Sequence, residues 1–355
     1  MEFDLKNIKI LTELDKNCRQ PYSDIAKTVN LSQQSVSRRI NKLLQEGVLK
    51  QFVTFINLEY IGFRVINICL KLKHMPQAEE EHLLQLISDI PHVNWLCSLS
   101  GSPYDLIIGI HAADVSHFER LFNQITGIFE HEIIDDGWFN CMDSFQLPYP
   151  LQKRKPEVPS SIGVKLGPKL ALQRLDYLIL QELASNARIT NQELAKKFKT
   201  GIQTITAHIQ RMEQDNVIQG YKPLIDMQKL GYQWHLVLFK LKYVDAETKK
   251  QFMEFLKSIP QTFFVVHGVG NWNMQVEFYC KNNDEYGQVM NTIFPQKYHK
   301  IIKTQHELII LKEHKCIWYP AAKVEEAIQT KLGKWNSQKQ PLEQPIKTLI
   351  KRTKT

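Results

Sequence analysis

The chain has 355 residues, 43% of them hydrophobic, and its 45 basic and 37 acidic residues leave a formal net charge of +8. That length favours two to four domains of roughly 100 to 200 residues each. No apolar stretch approaches the roughly 18 residues of a membrane-spanning helix, and the start Met1-Glu2-Phe3-Asp4 is unlike a signal peptide, so we expect a cytoplasmic protein with no membrane partner. The six cysteines lack short pair spacings, which argues against a disulfide framework or a metal site.

Positive charge is unevenly distributed along the chain. Residues 4–52 carry nine basic and five acidic side chains, whereas residues 53–150 carry four basic and thirteen acidic ones. The segments 151–172 and 321–355 are also basic. Such clusters favour a polyanion as partner, although lysine-rich linkers and tails are often only solvated.

The chain is a tandem duplication. Residues 7–101 align with residues 176–270 without a gap, at a constant shift of 169 positions (270 − 101). The matches include Ile10-Leu11 with Ile179-Leu180, Asn17-x-Arg19 with Asn186-x-Arg188, and Ile90-Pro91 with Ile259-Pro260. Because hydrophobic and turn positions recur in register, we expect two copies of one fold.

Each copy begins with three short predicted helices. In the first copy, apolar residues recur at helical spacing, and the tight turn Asn30-Leu31-Ser32 separates the second helix from the third. Ser32 suits an N-cap and Gly47 suits the end of the third helix. The pattern predicts a helix-turn-helix.

The exposed face of the third helix is the candidate DNA-reading surface. With Val36, Ile40 and Leu43 in the core, the opposite side carries amide and guanidinium groups that can reach base edges, and Ser and Lys groups that suit phosphates. Polar residues lie opposite any core stripe, but the two-helix context and the N-cap favour double-stranded DNA as partner. The predicted DNA-binding residues are Gln33, Gln34, Ser35, Ser37, Arg38, Asn41 and Lys42, and, in the second copy, Gln203, Thr204, Thr206, Gln210 and Arg211.

The second copy is expected to bind DNA more weakly. The position of Arg38 is occupied by Ala207, and residues 174–221 carry six basic against five acidic side chains. With fewer cationic side chains on the exposed face of the third helix, we expect a lower affinity for DNA phosphates.

Strand-like alternation follows the helices in both copies. The predicted order β-α-β-β-α-β is that of a ferredoxin-like sheet with helices on one face, so the fold class is α+β with two tandem units. Six segments result: helix-turn-helix 1–52, ferredoxin-like 53–150, basic linker 151–172, helix-turn-helix 173–221, ferredoxin-like 222–320 and basic tail 321–355.

These motifs resemble the Lrp/AsnC family of feast/famine transcription regulators. The resemblance rests on the helix-turn-helix ending in Gly47-Val48-Leu49 or Val217-Ile218, the steps Ile61-Gly62 and Leu230-Gly231, and the turns that begin at Gly101 and Gly270. It covers about residues 4–150 and 174–320, and implies a winged helix-turn-helix with an effector domain in each copy. The chain looks like two family units fused, as in some archaeal regulators.

The resemblance also implies an amino-acid or other small effector at the two turns. The candidate residues are Gly101, Tyr104 and Asp105 in the first copy and Gly270, Trp272 and Asn273 in the second. A carboxylate could hold an α-ammonium group, and turn amides a carboxylate. The alternative is a hairpin turn whose Asp or Asn caps its own backbone.

Enzymatic signals are weak, so the sequence predicts no catalytic residue and no cofactor. Gly268-x-Gly270-x-x-Asn273 lacks the third glycine of a dinucleotide fingerprint. The alternative is a fused enzyme that resembles the siroheme decarboxylases, which share this architecture. That resemblance has local matches only at Trp272-Asn273 and His267.

Opposite net charges predict how the halves assemble. The acidic segment 53–150 and the basic segment 222–320 favour pairing of unlike domains, because like charges across an interface repel. We therefore expect an intrachain pseudo-dimer, open to higher oligomers, with its two helix-turn-helix modules on neighbouring major grooves.

Overall fold

The computed structural model describes residues 4–152, 162–164, 170–294 and 297–319. The predicted linker lies outside these residues except at 151–152, 162–164 and 170–172, and the predicted tail 321–355 lies wholly outside them. None of the helices in the described ranges is long and apolar enough to cross a membrane.

The first copy opens with the predicted helix-turn-helix and a wing strand. The apolar stripes are buried as expected, including Val36, Ile40 and Leu43. Ser32 caps the third helix by accepting from the amide of Ser35 at 3.2 Å. Gly47 ends that helix with a φ of 66°, a left-handed conformation that favours glycine. The elements are α1 (Leu5–Lys16), α2 (Tyr22–Val29), α3 (Gln33–Gln45) and β1 (Leu49–Ile56).

A ferredoxin-like sheet completes the first copy, which confirms the predicted β-α-β-β-α-β order. Its elements are β2 (Arg64–Leu72), α4 (Gln77–Ser88), β3 (Val93–Gly101), β4 (Leu106–Ala112), α5 (Val115–Phe129) and β5 (Ile133–Gln146). In space the strands lie in the order β5-β2-β4-β3. Alternate residues of these strands pack against α4 and α5 in one apolar core.

The second copy repeats the helix-turn-helix after the short strand β6 (Ile162–Val164), which pairs with β5. Its elements are α6 (Arg174–Ser185), α7 (Asn191–Phe198), α8 (Ile202–Gln214) and β7 (Ile218–Ile225). The third helix of this copy, α8, is capped less well than α3, because Gly201 stands in place of Ser32 and makes no side-chain cap bond. Asn216, with a φ of 55°, takes the place of Gly47.

The second ferredoxin-like sheet has the same topology, with the spatial order β11-β8-β10-β9. Its elements are β8 (Gln233–Leu241), α9 (Ala246–Ser258), β9 (Thr262–Gly270), β10 (Met274–Cys280), α10 (Asn283–Ile293) and β11 (Ile302–Cys316). A second apolar core lies between this sheet and its helices.

The two copies pair with each other within the chain. Strand β11 pairs with β3 and strand β5 pairs with β9, so the eight strands β2-β4-β3-β11-β8-β10-β9-β5 form a closed ring. These pairings join the edges of the two sheets, which satisfies backbone groups that an edge strand would leave unpaired.

The wing strands link the two helix-turn-helix domains. Strands β1 and β7 form a separate two-stranded antiparallel sheet, in which Val53 faces Lys222 and Phe55 faces Gly220. The predicted domain boundaries at 52/53 and 221/222 fall inside these strands. Each wing strand therefore belongs to both neighbouring segments.

Candidate nucleic-acid interface

The first recognition helix, α3, presents an open groove to solvent. Its walls include six of the seven residues predicted to bind DNA in this copy, and Arg38 and Asn41 among them are exposed. Ser35 is the exception, since it is half-buried and its amide is held by Ser32. The groove residues are Tyr22, Ser32, Gln33, Gln34, Ser37, Arg38, Asn41, Lys42, Gln45 and Glu46.

The neighbouring arginines Arg38 and Arg39 of α3 differ in whether their side chains are free to contact DNA. Arg38 lines the groove, whereas Arg39 points to the start of α1 and donates to Asp4 at 2.6 Å and to Asn7 at 2.9 Å. Lys42 lies 3.7 Å from Glu46, and its side chain is 69% exposed. A pair so exposed contributes little, so Lys42 can reorient toward a phosphate.

The second recognition helix, α8, shows a partly different surface. Gln203, Thr204 and Gln210 are exposed, as predicted for DNA contacts. Thr206 is engaged within the chain, since its hydroxyl donates to the carbonyl of Ile202 at 2.9 Å and accepts from Asn191 at 3.0 Å.

Arg211 is turned away from the reading face. Its guanidinium donates to Asp176, a carboxylate with no exposed side-chain surface, and the imidazole of His208 lies 2.7 Å from the other oxygen of Asp176. The corresponding residues of the first copy are Lys42, Asn7 and Arg39. Because Asn7 is neutral, no buried acid draws Lys42 inward. Arg211 is thus less available to contact a DNA phosphate than the sequence indicated.

Arg19 and Arg188 hold the two modules together reciprocally. Arg19 donates to the carbonyls of Ala187 and Ile189, and Arg188 donates to those of Cys18 and Gln20, the corresponding positions of the other copy. Each guanidinium also lies over an aromatic ring of a wing strand, Tyr221 for Arg19 and Phe52 for Arg188.

The repeat alignment matched these arginines, but sequence reasoning gave them no role. Their partners lie about 170 positions away, beyond the reach of local patterns. The reciprocal contacts relate the two helix-turn-helix modules by a pseudo-two-fold axis.

A buried ion pair joins the copies asymmetrically. Lys222 in β7 donates to the carboxylate of Asp15 at 3.2 Å and to its carbonyl oxygen at 2.5 Å, and the amide of Tyr149 donates to the same carboxylate at 2.8 Å. Both charged residues are buried. The signal missed in the sequence is that their counterparts in the other copy, Ala184 and Val53, are apolar.

The predicted effector turns make internal contacts. Asp105 accepts from the ammonium of Lys71 at 2.7 Å and from the amide of Leu72 at 2.8 Å, and Asn273 accepts from the amide of Leu241 at 2.8 Å. Leu72 and Leu241 are corresponding positions at the ends of β2 and β8, so in both copies this residue caps another strand of the sheet and not the backbone of its own turn. Effector binding stays a prediction.

The two turns also approach each other. The rings of Tyr104 and Trp272 lie 6.1 Å apart between centroids, and Trp272 stacks on Phe139 at 5.4 Å. Gly101 and Gly270 pair with β11 and β5, where an added Cβ would meet backbone oxygen within 3 Å. These glycines permit close strand pairing between the copies.

The chain resembles known transcription regulators in sequence. The winged helix-turn-helix DNA-binding family matches residues 3–50 and 172–219. The HTH-type transcriptional regulator LysM of Saccharolobus solfataricus is 29% identical over 125 residues, which cover 35% of this chain and 84% of that protein. The HTH-type transcriptional regulator PH0061 of Pyrococcus horikoshii is 32% identical over 105 residues, covering 30% of this chain and 70% of that protein.

A similar solved structure spans both copies. The siroheme decarboxylase NirDL, crystallised with an iron-uroporphyrin III analogue, matches with a TM-score of 0.59 and 13% identity, and covers 92% of this chain and 98% of that chain. At that identity the likeness shows a shared fold alone. The 32% identity to PH0061, over 70% of that protein, shows that the chain belongs to the same family, the Lrp/AsnC transcription regulators, and the chain carries the family's fold twice in tandem.

Proposed function

We propose that this regulator binds specific double-stranded DNA sequences as an intrachain pseudo-dimer and that α3 is its principal reader. The observation that carries the proposal is the open groove on α3, where Gln34, Arg38 and Asn41 stand together with Lys42. Guanidinium and amide groups can form paired hydrogen bonds to guanine and adenine edges, and lysine suits phosphate.

The contacts between copies support a single chain as the DNA-binding unit. Arg19 and Arg188 bridge the modules in both directions, and the β1–β7 pairing adds a backbone connection. These contacts take the place of the interface that two separate chains would form. We propose that α8 serves as a weaker second contact, because Arg211 is held by Asp176.

An amino-acid effector at the turns is a separate proposal. Asp105 already accepts from Lys71, so an incoming α-ammonium group would have to displace that lysine. Its test is a change in DNA affinity on addition of individual amino acids. An Asp105→Asn variant that still responds would contradict a role for the carboxylate.

Alanine substitutions on α3 test the DNA proposal. Once footprinting has identified a bound site, Arg38→Ala is expected to cost about 1 to 3 kcal/mol and to relax preference at one base pair. Lys42→Ala should weaken all sites alike and reduce the slope of log affinity against log salt by about one.

Arg39→Ala is the matched control, because Arg39 is an arginine on the same helix that is bound to Asp4 and Asn7. It should leave DNA affinity nearly unchanged. Equal, sequence-independent losses from Arg38→Ala and Lys42→Ala would contradict base reading by Arg38. No measurable DNA binding by the intact chain would refute the whole proposal.

The shared fold with NirDL makes a tetrapyrrole enzyme the second candidate. Two observations weigh against it. His267, the local match, lies 3.3 Å from Asp143 and is engaged within the chain. The cavity inside the strand ring measures about 150 Å³, which is smaller than the pockets of roughly 300 to 1,000 Å³ that hold drug-sized ligands, and a tetrapyrrole is larger still. A saturable shift of the Soret band of iron-uroporphyrin III, relative to the free porphyrin, on titration with the purified chain would favour the enzyme.

A further inference from the structure

The interior of the strand ring contains a partly open cavity of about 150 Å³. It arises because strand residues alternate between faces. In β10, Met274, Val276 and Phe278 pack under the helices, which leaves Gln275 and Glu277 on the inner side. Both polar side chains are almost completely buried.

Glu277 is a buried carboxyl group in an oriented network. It accepts from the indole of Trp234 at 3.1 Å and from the amide of Gln275 at 3.4 Å, and Gln275 in turn accepts from Asn67 at 2.9 Å. None of the ion pairs between residues that the structure describes includes Glu277. Burial raises the pKa of Glu277 to about 8, and the charge of Glu313 adds to that rise.

The other charges along the cavity leave an excess of acid. Lys50 lies 3.2 Å from Glu313 and 3.7 Å from Asp226, and Glu313 also accepts from the indole of Trp95. Burial lowers the pKa of His111 to about 3, so this imidazole is neutral. One lysine thus faces two carboxylates, Glu313 and Asp226, while Glu277 is itself mostly protonated, and this excess of negative charge favours a cation over an anion.

Aromatic walls and an unused acceptor complete the site. The rings of Trp95 and Trp234 lie 6.3 Å apart, those of Trp234 and Tyr279 5.3 Å. Aromatic faces attract cations. The side-chain oxygen of Asn94 is buried without a hydrogen-bond partner and lines the same cavity, and Gly109, which lacks a Cβ, leaves room for it.

We propose that this cavity binds a small organic cation, a primary amine with an apolar body of about one ring. The ammonium group sits on the carboxylate of Glu277, and the body lies against Trp95 and Trp234. The size is set by the volume, since about 150 Å³ holds one aromatic ring. Ligand binding then converts Glu277 to its charged form, because a neighbouring cation favours the carboxylate.

The site also touches the elements that carry the DNA-binding modules. Phe55 and Ile56 of β1 and Leu224 and Ile225 of β7 contribute to its walls. Both wing strands therefore border the cavity. Regulation of DNA binding by the amine rests on the proposed function, whereas binding of the amine itself does not.

Calorimetric titration of the full chain tests the site without DNA. Benzylamine, benzyl alcohol and benzoate share a ring and differ in charge. At pH 7 we expect benzylamine alone to bind, with release of close to one proton, measured by repeating the titration in buffers of different ionisation enthalpy. Glu277→Gln keeps the shape of the side chain and should lower the affinity for benzylamine at least tenfold. Glu247→Gln, a control at an exposed position on α9, should leave that affinity unchanged.

Three results would overturn the proposal: benzyl alcohol binding as tightly as benzylamine, benzylamine binding unchanged in Glu277→Gln, and no binding of benzylamine at millimolar concentration. If Glu277→Gln does not fold, the proton count in the native chain decides, and binding without proton release refutes the role of Glu277. Because DNA is absent, failure of the proposed DNA function leaves this result intact.

Discussion

The buried pair Asp15 and Lys222 makes a quantitative prediction about how the copies hold together. Lys222→Val introduces the residue found at the corresponding position of the first copy, Val53, and Asp15→Ala introduces the counterpart Ala184. The side chains of Lys222 and Asp15 are only 6% and 4% exposed, so solvent cannot replace the lost partner. The single change Lys222→Val should therefore destabilise the chain by about 3 to 5 kcal/mol.

The double variant should recover most of that loss. Replacing both members of a buried ion pair with apolar residues is often neutral or stabilising, by about 1 to 4 kcal/mol. Against this gain, the amide of Tyr149 loses an acceptor, which costs about 1 to 3 kcal/mol. The two effects nearly cancel, so we expect the free energy of unfolding of the double variant to lie within about 2 kcal/mol of that of the native chain.

Urea unfolding of the full chain at pH 7 measures these differences, provided that the slope stays constant among variants. Lys197→Val is the control, because Lys197 pairs with Glu182 at 2.6 Å but is 54% exposed and should cost less than about 1 kcal/mol. A stabilising role of the buried pair is refuted if Lys222→Val costs no more than this control, or if the double variant loses as much stability as the two single changes together.

Three further predictions concern the reading face, the cavity and the assembly. Arg211→Ala should lower the free energy of unfolding by about 1.5 to 3 kcal/mol, since buried Asp176 loses a charged donor, yet it should reduce DNA affinity less than Lys42→Ala does. An Arg211→Ala variant that leaves stability unchanged and loses more DNA affinity than Lys42→Ala would contradict the difference between copies. Because the pKa of Glu277 is raised from 4.5 to about 8, the folded chain binds more protons than the unfolded chain between these pH values. The stability of the native chain should therefore fall from pH 6.5 to pH 8 relative to that of Glu277→Gln. Melting temperatures that change equally with pH in the two proteins would contradict this. Light scattering should find the full chain monomeric in dilute solution, and a tight dimer would argue against the intrachain pseudo-dimer as the complete unit.

The features that depend on short-range interactions could be predicted from the sequence alone. Helical periodicity placed Val36 and Ile40 in the core, Ser32 serves as the predicted N-cap, and strand alternation predicted both ferredoxin-like sheets. These features involve residues within a few positions of one another, so their patterns are legible in one stretch of sequence. The duplication added the correspondence between copies.

Contacts between residues far apart in the sequence decide which polar side chains are free to contact DNA and which residues join the two copies. The sequence predicted Arg211 as a DNA contact, but in the fold it donates to Asp176, 35 positions earlier. Asp15 likewise contacts Lys222, which lies 207 positions later in the chain. The ring of strands, and the cavity where Glu277 lies, form only when β3 meets β11 and β5 meets β9. Such contacts depend on the packing of whole elements, because an ionisable side chain takes whichever partner the fold brings within reach.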